Sequence, residues 1–272
     1  MRLPLRDNLI RQTLENYPQA LPLYTKARDF YRDRVSFWQN EIVDGPVGEV
    51  SFTFDSAEPG HLELAVADVS IRITDPRAPL SIIHELLHLE LRVKGFPLPN
   101  PKDQPSFPED DFAPFWSIFN SVDHHLFKER FVEMGFAPAD IVRETKSSRE
   151  RMLSRWTDEL IRCDDAENTR RAMYAYFQCW MTDALRETSC EVPAFRHAMQ
   201  ADLPGCLDAI RANVPDIEKE MNWLHDWFTR REFASPLLYR QSVSEAADKM
   251  HIPIWPLYSL STVDGSIRAV PC

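Results

Sequence analysis

Residues 69–95 read VSIRITDPRAPLSIIHELLHLELRVKG, and this stretch decides what kind of fold the chain can make. Val69, Ile71 and Ile73 alternate with polar residues, the period of a half-buried strand. Asp75-Pro76 and Pro79 stop the strand and start a helix, and Lys94-Gly95 ends it. Between these signals, Leu80, Ile82, Ile83, Leu86, Leu87 and Leu89 surround His84-Glu85-Leu86-Leu87-His88. Residues four apart share a helix face, so both imidazoles can point at one ion. Glu85 lies about 100° further round the helix, beside such an ion rather than on it. Neutral imidazole suits zinc, which lowers the pKa of a bound water towards about 7. A carboxylate next to that water can take its proton as it attacks a polarised carbonyl. Two imidazoles and a carboxylate in an otherwise apolar helix are costly unless something satisfies them.

Upstream the period is also two. Val50, Phe52 and Phe54 alternate with polar residues, as do Leu62, Leu64 and Val66. Strands are predicted over 49–55, 61–67 and 69–74, with Glu58-Pro59-Gly60 as a turn. The first 42 residues predict helix: a short stretch through Leu9, Ile10, Thr13 and Leu14, stopped by Pro18, then a second from Leu23 to Ile42 through Tyr31, Val35 and Trp38. Downstream, 96–111 is too rich in Pro for regular structure and reads as a loop. Helix is predicted over about 113–134, closed by Gly135, and then over 141–162, 166–187, 194–199 and 206–228. Residues 236–272 read as mixed, extended around Pro253 and Pro256. No internal repeat is present.

Composition removes whole classes of function. The 272 residues include only 7 Gly, where average usage gives roughly 19. Neither G-x-G-x-x-G nor G-x-x-x-x-G-K-[ST] can be drawn from them, and G-x-S-x-G is absent, so phosphate-cradling loops and the serine-hydrolase elbow are excluded. A net charge of −11 argues against a phosphate-neutralising nucleic-acid binder. The charges at 146–165 are of both signs and read as a solvated helix face. No uncharged apolar run reaches 18 residues, so no membrane span is expected. The N-terminal residues lack the apolar core of a signal peptide. Five cysteines without C-x-x-C point to reduced thiols and a cytoplasmic protein.

The strand followed by HELLH on a helix resembles the zincin metallopeptidases, over roughly residues 48–135. The resemblance implies a zinc ion held by His84 and His88, with Glu85 as general base. The extended motif H-E-x-x-H-x-x-G-x-x-H fails, because Leu91 and Lys94 stand where Gly and His are needed. A gluzincin-like arrangement, with the third ligand on a later helix, is the nearer likeness. The segment FWSIFNSVDHHLFKERFVEMGF at 115–136 is the candidate. On a helical wheel Asp123 sits in the middle of its apolar face, His124 about 100° away towards Asn120 and Phe131, and His125 on the opposite flank. A carboxylate so placed needs a partner. Asp123 is therefore the expected third ligand, with His124 the alternative, as ligand or as outer partner. Glu90, Glu109, Asp110 and Asp111 are weaker candidates, the last three on a loop rim. His225, His197 and Tyr258 are candidate oxyanion stabilisers.

The expectation is thus an α+β protein: a zincin-like core with a small, mostly antiparallel sheet beside the HExxH helix, plus a large helical C-terminal part. Residues 1–136 form the N-terminal helices and catalytic region, and 137–272 the helical region with its extended tail. The expected function is a zinc-dependent hydrolase, a metallopeptidase acting on a peptide or protein substrate. The alternative is a zincin-like regulatory or partner-binding protein with little peptidase activity; a third reading treats HELLH as accidental in a structural protein.

Overall fold

The computed structural model describes residues 3–39, 48–58, 61–99, 109–141, 165–186, 206–229, 233–251 and 256–272, together with 158 and 162. The chain divides into two compact units. The first comprises 1–100, 129–136 and 256–272; the second comprises 101–128 and 137–255. The chain as a whole mixes helix and strand, the α+β class expected.

The first unit is built on a seven-stranded open sheet. Its strands are β1 (Leu3–Pro4), β2 (Val35–Gln39), β3 (Gly48–Glu58), β4 (His61–Ile71), β5 (Leu98–Pro99), β6 (Leu257–Val263) and β7 (Ser266–Pro271). β4 is the axis: β3 lines one edge antiparallel, while β2 (parallel) and β7 (antiparallel) share the other. Every other pairing is antiparallel, so the expected mostly antiparallel sheet is present with one parallel pair. The tail read as mixed is a hairpin, β6–β7, and Leu62↔Ala269 joins it to β4. That pairing puts the last residues with the sheet, whereas the sequence grouped 137–272 together.

Two stretches differ from the sequence expectation. The stretches 61–67 and 69–74 are one strand, β4. Phe54 pairs with Leu64 and Thr53 with Val66, so Ala65 is an extra residue, a β-bulge. The bulge moves the inward phase by one: Leu64, then Ala67, Val69 and Ile71, are buried. Residues 35–39, predicted as helix, are strand β2. The helix α2 (Leu21–Tyr31) ends at Arg32, whose φ of 54° is left-handed, and Val35 and Phe37 then alternate inward in β fashion. Ile42 lies outside the described residues.

The remaining helices of this unit are α1 (Asp7–Thr13) and α3 (Ala78–Val93). α3 packs against α2 and against β3, β4 and β6, so it is enclosed rather than half-exposed. Its Leu, Ile and His positions occur all round the wheel, as a helix without a solvent face requires. α4 (Glu109–Glu133) begins earlier than predicted, which places Glu109, Asp110 and Asp111 in its first turn and not on a loop. Gly135, at φ 90°, closes it. α4 runs unbroken through residue 128, so its last turns belong to the first unit and its earlier turns to the second.

The second unit adds α5 (Ala166–Arg186), α6 (Leu207–Asn213), α7 (Ile217–Thr229) and α8 (Pro236–Lys249). The predicted helix 206–228 is two helices, because Pro215 cannot donate to the turn before it. The predicted helix at 194–199 and most of that at 141–162 lie outside the described residues. Phe177 stacks on Trp180, and Phe228, Phe233 and Trp227 join the same aromatic core. α8 falls in the region read as mixed. Its start is nevertheless written in the sequence: Ser235 Oγ accepts from the Leu238 N–H at 3.2 Å and Pro236 occupies the first helical position. Among the described residues no helix is long and apolar enough to cross a membrane.

Replacing Ser235 by Ala should lower stability by about 1 kcal/mol, read as a fall in the urea midpoint with unchanged slope, while Ser235→Thr should hold the midpoint near wild type. Equal loss in both variants would show that the cap bond is not what starts α8.

Candidate metal centre

Burial of α3 sets the chemistry. His84, Glu85 and His88 are only 5%, 3% and 7% exposed, although imidazoles and carboxylates rarely leave water without a reason. The i, i+4 spacing brings the two rings together as the helix geometry dictates, with centroids 5.0 Å apart and Nε2 to Nε2 at 3.2 Å. At that distance one ring can donate an N–H to the other when their tautomers differ. The same separation suits a shared ion: tetrahedral bonds of about 2.1 Å put neighbouring nitrogens roughly 3.4 Å apart.

The third member comes from α4. One ring nitrogen each of His84, His88 and His124 lie within 4.8 Å of one another, and all three residues are buried. Among the described residues this is the group of His, Cys, Asp or Glu side chains that can hold a metal ion. Three convergent imidazoles in an enclosed site would repel one another if protonated and are well suited to ligate if neutral. The donor set therefore fits a divalent ion that accepts nitrogen ligands.

The last turns of α4, residues 129–133, belong to the first unit and are tied within it. Arg130 Nη1 donates to Glu90 Oε1 at 2.7 Å. Phe131 is buried and packs on Phe136, which stacks on Tyr17. Gln19 Nε2 donates to the carbonyl of Met134 at 2.7 Å. His124 lies six residues before Arg130, roughly 9 Å along the same helix.

Asp123, the expected third ligand, is 1% exposed and falls outside the three-histidine group. Its Oδ1 accepts from the Tyr239 hydroxyl at 2.9 Å; the same hydroxyl lies 3.3 Å from the Phe119 carbonyl. The buried carboxylate thus has a partner of its own, from α8. Glu90 is occupied by cations and is not part of the group. His125 packs on Phe228 and Phe233 within the aromatic core. His225 lies against Trp180, with Nδ1 3.2 Å from Asp226, and Tyr258 is buried on β6. His197 lies outside the described residues. Sequence reasoning missed Tyr239 and Arg130. The Ser235-Pro236 start would have revealed the helix that carries Tyr239.

No protein-family model, curated protein or solved structure matches this chain. The chemistry of the site therefore rests on its own residues.

Metal analysis of the full chain should find about one divalent transition-metal ion per molecule, and His84→Ala and His124→Ala should each remove most of it. Asp123→Asn should keep the stoichiometry. Loss in Asp123→Asn matching that in His124→Ala would make Asp123 the ligand instead.

Proposed function

We propose that this chain is a zinc-dependent hydrolase acting on a peptide or protein, with His84, His88 and His124 as metal ligands and Glu85 as general base. The observation that carries the proposal is the enclosed three-imidazole group with a buried carboxylate next to one of its ligands on the same helix. The likeness of HELLH to the zincin motif supports the same reading. It departs from the gluzincin-like pattern in taking an imidazole, not a carboxylate, from the later helix.

Zinc, when bound, polarises a substrate carbonyl and acidifies water. The rest is the work of the chain. His84 and His88 are held in register by one turn of α3, so their spacing survives movement elsewhere. Glu85 cannot turn away into bulk water, because every neighbouring position of α3 from Ser81 to Arg92 is buried. There it accepts the proton of the attacking water and returns it to the leaving nitrogen. Asp123 keeps its acceptor role towards Tyr239 and steadies the turn of α4 next to His124.

Glu85→Gln tests the assignment, since the amide has the same shape but cannot take the proton. The variant should bind zinc as tightly as wild type within a few-fold, while hydrolysis of a peptide library by the zinc-loaded chain falls at least about 100-fold. A Glu85→Gln protein that binds zinc and keeps its full activity would overturn the hydrolase reading. It would leave the partner-binding alternative.

A further inference from the structure

Glu90 is buried near the end of α3, two residues beyond His88, and its carboxylate faces three cations within the first unit. Oε1 meets Arg130 Nη1 at 2.7 Å and Lys26 Nζ at 3.3 Å, and Oε2 meets Lys94 Nζ at 3.4 Å. One carboxylate needs one counter-charge, so neutralisation alone does not explain the arrangement. The three cations differ in origin. Lys26 comes from α2, Lys94 from the turn that ends α3, and Arg130 from α4, the helix that carries His124. Arg130 makes the shortest contact, and a planar guanidinium fixes direction as well as distance.

We infer that the Glu90–Arg130 pair is a positioning device for the metal group, setting the rotation and height of α4 so that His124 meets an ion held by His84 and His88. The inference rests on reading the three histidines as a metal site. The two α3 ligands are fixed by their own helix, whereas the third depends on how α4 is seated. A ligand atom stands about 6 Å from its helix axis. A roll of about 10° therefore displaces it by about 1 Å, several times the tolerance of roughly 0.2 Å that metal–ligand bonds allow. Arg130 is close enough to transmit a roll to His124, being fewer than two turns away on an unbroken helix. Lys26 touches the same oxygen but belongs to a helix without a ligand, so it is the natural control.

The test measures zinc affinity of the full chain by competition with a chromophoric chelator, and the visible spectrum after cobalt(II) substitution, under conditions where each variant keeps the wild-type circular dichroism. Arg130→Met should weaken zinc binding by about 10- to 100-fold and shift the cobalt bands towards the weaker absorption of a higher coordination number, as more than one water takes the place of the lost imidazole. Glu90→Gln should do the same, and the double variant should add little to either single change. Lys26→Met should leave affinity and spectrum within about two-fold of wild type. Arg130→Lys, the milder change, should lose a few-fold in affinity and supplies the readout if Arg130→Met does not fold. Wild-type affinity and spectrum in the Arg130 variants, or an equal loss in Lys26→Met, would overturn the positioning role. A wild-type chain that takes up neither zinc nor cobalt would instead overturn the metal reading on which it rests.

Discussion

Enclosing a helix on every side commits a protein to satisfying every polar group that helix carries. α3 is such a helix, buried from Ser81 to Arg92, and it carries His84, Glu85, His88, Glu90 and Arg92. Each ion or dipole taken out of water costs several kcal/mol unless it is paired. The surroundings answer most of the demand. Arg92 donates to the Pro97 carbonyl just beyond the helix end, Glu90 collects three cations, and Tyr31 donates its hydroxyl to the Leu89 carbonyl at 3.2 Å. His84 and His88 meet each other at 3.2 Å, and a ring nitrogen of His124 lies within 4.8 Å of both. The sheet and α2 supply walls of that enclosure.

The sheet achieves this through β4. Its bulge at Ala65 keeps the inward set continuous past a change of phase, with Leu64 and Ala67 both facing the interior side. Arg34 secures the irregular point: its guanidinium donates to the Leu64 carbonyl and to Glu63, each at 2.5 Å. A bulge leaves ladder groups without strand partners, and a planar five-donor side chain can satisfy two acceptors there at once.

How much of this was legible depended on whether a residue's fate was decided locally. The helix 78–93 was, since its stop and start signals and its histidine spacing are all short-range. The strand pair 48–71 was too, except that one inserted residue reads as a strand boundary when only alternation is visible. Val35–Gln39 was not legible, because Val35 and Trp38 fit a helical spacing as well as an extended one; the left-handed Arg32 that ends α2 has no compulsory residue type. The choice between Asp123 and His124 was beyond a helical wheel. Neighbours on a helix differ by about 100°, and which one faces the α3 histidines depends on how α4 is rolled. Asp123 finds its partner in Tyr239, 116 residues away in sequence, which no local pattern announces.

The hairpin β6–β7 reaches back to β4 across roughly two hundred residues of intervening chain, and contacts of that span form slowly. α3 packs against β6, so one wall of its enclosure depends on that long-range pairing. The i, i+4 histidines, by contrast, come together as soon as one turn of helix exists. The two imidazoles are thus paired by a local element and covered by a distant one, so losing the pairing of the hairpin would uncover α3 without separating His84 from His88.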